Sequence, residues 1–340
     1  MRFPKIILAT FLSLLASGCY FMQATQGQVS LLVHRQPITK LAADPATEAA
    51  LKTKLEYVKA AREFASRELG LPDNKSYRSY VDVKRDYVLW NVFAAPEFSV
   101  NPLQWCFPVA GCVVYRGYFK ETAANHYAEK LRSQGHDVVV SGVPAYSTLG
   151  HFNDPVLSTM MRWSNSQLAA TLFHELAHQV VYVKNDSSFN EAFATVVADE
   201  GIKRWLQQAG KQSAWEYWQL QEQRGNVISG LLMHARQQLQ ELYVSHQSAD
   251  QMRQQKQLIL EGLKAEYATL KTAWDGYSGY DKWFDRPLNN ADFISVATYQ
   301  QCVPGFARLL HSVEDDLPKF YAAVKSLATQ DSLTRQKLCQ

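Results

Sequence analysis

An excess of charge of either sign is lacking in this sequence. Lys and Arg number 35 against 32 Asp and Glu, a formal net charge of +3 over 340 residues. No basic stripe runs through it, which argues against nucleic acid as a partner. Long hydrophobic runs are missing as well: the apolar stretch from Ile6 to Leu15 is too short to span a bilayer as a helix. No strict heptad is sustained either: the Gln-rich segment from Glu216 to Ala273 reads as two or three long helices, an antiparallel hairpin among the arrangements, with a partner-binding coiled hairpin as the runner-up. Cysteines number five. None has the spacing of a zinc ligand, and nothing around them supports a nucleophilic thiol.

With 47% hydrophobic and 20% charged residues, the composition is that of a globular protein with one large domain or two modest ones. Residues 1–19 read as a targeting segment. Arg2 and Lys5 open it, the apolar core follows, and Ala16-Ser17-Gly18-Cys19 closes it. Small residues before a cysteine resemble a bacterial lipobox, with Cys19 lipidated and becoming the new N-terminus; the alternative is an ordinary signal peptide cleaved nearby. Tyr20 after the cysteine, where Asp would retain a lipoprotein, resembles outer-membrane sorting. The expected place is therefore the cell envelope, lipid-anchored to the outer membrane and facing the periplasm. Acyl chains contribute about 0.8 kcal/mol per buried CH2, so several anchor a protein without a spanning helix. In that oxidising compartment the other four cysteines are expected to pair. Cys106–Cys112 with Cys302–Cys339 is the expected arrangement among three connectivities. Residues 20–45 read as a tether.

The stretch from Ser164 to Gly201 carries the chemistry. Ser164, three residues ahead of Gln167, is a capping-box start. From Leu168 to about Val183 there is no Gly or Pro, and Leu168, Leu172, Leu176 and Val180 recur at fours. His174 and His178 are also four apart, so a helix stacks both imidazoles on one side, where they can bind one Zn2+ per chain. Glu175 points beside that ion, placed to take a proton from a zinc-activated water and return it to a leaving amine. A second helix starts near Ser188 and carries Glu191, the expected third ligand; Asp186, Asp199 and Glu200 are substitutes. Glu191 also stands three residues after Ser188, where it would complete a second capping box.

These residues support a resemblance. His174-Glu175-Leu176-Ala177-His178 followed by Asn190-Glu191-Ala192-Phe193 resembles a zinc peptidase of the gluzincin type. Three further stretches resemble a bacterial lipoprotein family known as predicted aminopeptidases. They are Trp105 to Cys112 with Tyr115-Arg116-Gly117-Tyr118-Phe119, Ala145-Tyr146-Ser147-Thr148-Leu149-Gly150, and Asn289-Asn290-Ala291 with Ser295-Val296-Ala297-Thr298-Tyr299. The resemblance implies a zinc-dependent peptidase, an aminopeptidase by its label. The same site would also serve a zinc endopeptidase or a cell-wall peptide amidase, and a non-catalytic envelope scaffold is the remaining alternative. One position departs from the thermolysin-like pattern. Thr195 stands where an acidic residue would support a zinc histidine, which leaves Asp199 as the candidate for that task.

The remaining pattern frames an α+β fold, mainly helical, with a small sheet before a zincin-like metal helix and a long C-terminal helical region. Residues 46–210 would form the catalytic domain and residues 211–340 a helical part completing the cleft. In gluzincins an edge strand upstream of the metal helix holds the substrate backbone. Here Val143 to Gly150 is the candidate, with Tyr146 and Ser147 facing the site, set against an ordinary connecting loop. His151 and Asp154 could line the cleft. Tyr299 is the first candidate for stabilising the oxyanion, followed by Arg116 and Tyr115, and Asn290 could hold substrate backbone. An exopeptidase also needs an acid for the free N-terminal ammonium: Glu97, Asp154 or Asp292. His234 and His246 read as surface residues.

Overall fold

A computed structural model describes residues 20, 22–107, 111–300 and 302–339, the side chains of 297–300 excepted. The expected leader and the lipid on Cys19 lie outside the described residues. The fold is α+β and mainly helical. No described helix is long and apolar enough to cross a membrane.

The segment expected to be a tether folds onto the protein. Helix α1 (residues 22–34) leads through β1 (Gln36–Pro37) into α2 (Ile38–Ala43). Leu31 and Ile38 are buried in the main core, and Gln23 accepts a hydrogen bond from the Phe119 N–H. Gly27 reads as a breaker in the sequence, but it serves close approach: a Cβ there would overlap the Phe119 ring. Helix α3 (Ala49–Arg67) follows, with Leu55, Val58, Ala61 and Phe64 buried as their spacing predicts.

Three small sheets stand where one is expected. Strand β2 (Ser79–Val81) pairs with β1. The long β3 (Leu89–Pro96) is the centre of the second sheet. A ribbon of β4 (Trp105–Phe107) and β5 (Gly111–Val113) is crosslinked by Cys106–Cys112. Strand β6 (Arg116–Tyr118) pairs with one edge of β3. Helix α4 (Glu121–Ser133) then covers the sheet, burying Ala124, Ala128 and Leu131 against Trp90 and Tyr118. Strand β7 (His136–Val143) pairs antiparallel with the whole of β3, Leu89 opposite Val143 and Pro96 opposite His136. Strand β8 (Val156–Leu157) completes the first sheet beside β2.

The rest is helical: α5 (Asn165–Ala177), α6 (Ser187–Gln208), α7 (Gln212–Tyr243), α8 (Ala249–Ala273), α9 (Asp281–Phe284), α10 (Phe293–Gln300), α11 (Val303–Ser312), α12 (Leu317–Ala328) and α13 (Ser332–Gln336). The main core joins α3, α5, α6, α11 and α12 through Phe64, Phe173, Phe193, Phe306 and Phe320. Helices α7 and α8 form the expected hairpin, with its own core of Leu232, Leu239, Leu260 and Leu263, capped by Phe284 and Phe293. Helix α10 lies against both α6 and α7.

The second disulfide, Cys302–Cys339, ties the chain's end to the start of α11 across 37 residues. Chain entropy for a loop of this size is worth roughly 3–4 kcal/mol. Replacing both cysteines with Ala should lower the calorimetric melting midpoint by several degrees; an unchanged midpoint would show that helix packing alone holds the C-terminus.

Candidate metal centre

Helix α5 begins as its sequence dictates. The Ser164 hydroxyl accepts from the Gln167 N–H while the Gln167 side chain accepts from the Ser164 N–H. Leu168, Leu172 and Leu176 are fully buried and Val180 is partly so. The helix ends sooner than expected, at Ala177, with His178 as its C-cap. Past Ala177 the backbone tightens into three-residue bonds, Gln179 N–H to the Leu176 carbonyl and Val180 N–H to the Ala177 carbonyl, and tertiary bonds then hold the turn. Gln179 accepts from Asn74 Nδ2 at 2.6 Å. The Val183 N–H donates to Asn190 Oδ1 at 2.7 Å, and Asn190 Nδ2 donates to the Val183 carbonyl at 2.8 Å. This clamp folds α6 back along α5. The cap of α6 is Asp186, which accepts from the Phe189 N–H. Glu191 is therefore not spent on a capping box, and its carboxylate turns to the histidines.

Three donor atoms converge there. His174 Nε2 lies 3.1 Å and His178 Nε2 3.6 Å from the same Glu191 oxygen, and the two ring nitrogens are 3.2 Å apart. One ligand atom from each of the three residues lies within 4.8 Å of the others. Two ring nitrogens aimed at each other can share one proton, and a second would be repelled. A cation between them satisfies all three groups, and two imidazoles with one carboxylate suit Zn2+. The side chains are 20%, 7% and 20% exposed for His174, His178 and Glu191, so the centre is recessed.

Burial sets the electrostatics. It would push the Glu191 carboxyl up, but hydrogen bonds from His174 and His178 overcome it and hold the group at about 2. Burial would lower His174, and the Glu191 hydrogen bond with the fields of Glu175, Glu191 and Asp199 outweighs it, so His174 is raised. Glu175 is raised by burial, with the two histidines pulling the other way. Asp199 is pushed up to about 8, by burial first and then by Glu222. The Nδ1 atom of His178 is buried without a partner among the described residues.

Tyrosines ring the centre. Burial and the field of Glu191 raise both Tyr115 and Tyr182, and Glu175 adds to the shift of Tyr115. The Tyr115 ring packs against Phe93 at 5.8 Å, just after the crosslinked ribbon, which docks on the turn between α5 and α6. The Cys112 N–H donates to Asn185 Oδ1 at 2.8 Å, in the turn between α5 and α6. Gly111 has φ +76°, and a Cβ there would overlap the Asn185 side chain. Tyr77 is 1% exposed and has φ +60°. For a bulky residue that backbone is strained, and the Tyr77 N–H bond to the Asp154 carbonyl at 2.6 Å helps to hold it. Its phenol is raised by burial, then by Glu175 and Asp154. The sequence reading overlooked Tyr77, which no motif marks. Tyr182 had a signal, since it continues the four-residue spacing of His174 and His178.

Other candidates lie elsewhere or are already engaged. Strand β7 stops at Val143, so residues 145–150 are a loop and not an edge strand. The loop winds around Asp154, which accepts from the Thr148 N–H at 2.8 Å, the Thr148 hydroxyl at 2.6 Å and the Ser147 hydroxyl at 3.3 Å. Ser147 and Asp154 thus build the loop. Tyr146 packs edge-on against Phe119, with its phenol pushed up to about 12 by burial and Asp154. The Arg116 guanidinium sits over Tyr20 at 4.1 Å and Tyr127 at 4.5 Å, an aromatic cage on the second sheet. Asn290 is fully buried. It accepts from the Tyr243 hydroxyl and donates to the carbonyls of Pro96 and Glu97, which leaves nothing for substrate. Glu97 pairs with Arg253, Asp292 with Arg286, Asp186 with Arg335, and Glu200 with Lys203 and Arg204. Asp199 acts on His174 through space, with no hydrogen bond between them. His151, His234 and His246 are exposed. Tyr299 is on α10, and its side chain lies outside the described residues.

No curated protein and no solved structure matches the chain. A family model does, over residues 19–339. A buried His2Glu cluster with an adjacent carboxylate is the kind of site a peptidase needs, and the match spans the chain that builds it: this protein belongs to the family described as "Putative aminopeptidase".

Proposed function

We propose that the chain is a zinc-dependent aminopeptidase, held in the cell envelope by lipid on Cys19 and acting on peptides. The observation that carries the reading is the convergence of His174, His178 and Glu191 across the α5–α6 turn. These three would hold Zn2+, which when bound acidifies water and polarises a peptide carbonyl.

The chain's own groups do the rest. Glu175 follows the first histidine, so its carboxylate stands beside the ligand cluster. Its raised affinity for protons suits a base that accepts one from the attacking water and then passes it to the leaving amine. The phenols of Tyr115 and Tyr182 remain neutral at working pH, since both are shifted upward. A neutral phenol can donate to the oxygen that gains charge in the transition state, with Tyr115 the better held of the two. The clamp at Asn190 and the cap at Asp186 keep these groups in register while substrate enters.

Glu175→Gln should retain stoichiometric zinc by elemental analysis yet lose peptide hydrolysis by about 10²–10⁴-fold. Native turnover in that variant would end the mechanism. Tyr115→Phe should lower kcat by about 10²–10³-fold with KM little changed, as expected for a donor used only in the transition state. An effect confined to KM would move that donor elsewhere. Zinc binding must displace the proton that Glu191 helps His174 to hold. Its affinity, measured by competition with a chelating dye, should fall as pH drops through the raised His174 pKa and recover above it. A flat profile from pH 5 to 8 would remove His174 as a ligand.

A further inference from the structure

The groove between α6 and α7 holds a second polar site. Its volume is about 660 Å³, and its walls include Asp199, Trp215, Trp218, Glu222 and Asn226. The four α7 residues fall at spacings of three and four, so they line one face of that helix. Asp199 reaches the groove from α6. Neither Asp199 nor Glu222 has a hydrogen bond or ion pair among the described residues, and the walls contain no Lys or Arg. Two carboxyl groups lining one groove with no basic side chain in its walls are an arrangement that a bound cation relieves. Two indoles in the same walls are the aromatic surface that holds cations best.

We infer that this groove binds a basic side chain, Lys or Arg, of the peptide substrate. The inference rests on the peptidase reading above and names the substrate class for it. Position within the fold chooses the side chain over the peptide's N-terminus. Asp199 is two turns beyond Glu191 on α6, about 12 Å along the axis. An α-amine next to a bond held at the ligand cluster falls short of that, whereas a Lys or Arg side chain extends towards it. Asp199 and Glu191 lie on the same helix, α6, which joins the groove to the ligand cluster.

The test uses the full chain and four peptide amides: Ala-Lys-Ala, Ala-norleucine-Ala and the N-acetylated form of each. Binding is read by indole fluorescence on the Glu175→Gln protein, which needs no turnover. Both Lys peptides should bind about tenfold more tightly than their norleucine counterparts. Glu222→Gln should shrink that ratio towards one, and Glu222→Lys, at an exposed position, should abolish it. Equal affinity for Lys and norleucine peptides, or affinity that follows the free α-amine alone, overturns the assignment. In the wild type, the ratio of kcat/KM for the two free peptides should show the same preference and lose it in Glu222→Gln. Preference in binding without hydrolysis by the wild type would sink the peptidase reading and keep this groove. Hydrolysis without preference would do the reverse.

Discussion

Two imidazole nitrogens and one carboxylate oxygen brought together inside the protein are the constraint on which this fold turns. Left to themselves they conflict: one proton at most can sit between the rings. Burial at 7% exposure for His178 removes the water that would otherwise relieve them. The chain bears that tension because the helices supplying the groups are locked. The Asn190 amide closes both polar groups of the Val183 backbone. Asp186 caps α6 and is held in turn by Arg335 at 2.7 Å. The C-terminal crosslink keeps the segment carrying Arg335 in place.

The parts outside the two helices read as supports for that turn. The crosslinked ribbon docks on Asn185 through the Cys112 N–H, and Gly111 is the residue small enough to allow it. The loop wound around Asp154 is tied to the strained Tyr77 through the Tyr77 N–H. Asn74 donates to the Gln179 side chain just past the end of α5. Each support spends a polar group that looks available in the sequence. Ser147, Asp154 and Asn290 all have the chemistry to meet a substrate, and all are used up in the frame.

Aromatic residues give the centre its dielectric. Tyr115, Tyr146 and Tyr182 are all shifted towards the neutral form, chiefly by burial. Glu175 is shifted in the same direction. A carboxyl so tuned exchanges protons closer to neutral pH than one in water. Further along α6 the same helix shows a different face, where Asp199 and Glu222 meet across a groove walled by tryptophan.

What the sequence determined by itself was local. The four-residue spacing of His174 and His178, the Ser164 capping box, the leucine face of α5 and the Gln-rich hairpin all rest on helical periodicity, which acts over a few residues. The four cysteines other than Cys19 pointed to pairing, but the choice among three connectivities was settled by the fold. Only the tertiary structure decided the rest. Glu191 could have been a cap or a ligand until Asp186 took the cap. Gly27 looked like a break and proved to be a contact. Arg116, Asn290 and Ser147 carry the right chemistry but have partners remote in sequence. A side chain's availability depends on whether other parts of the chain have claimed its hydrogen bonds, and in a buried frame nearly every such bond is claimed.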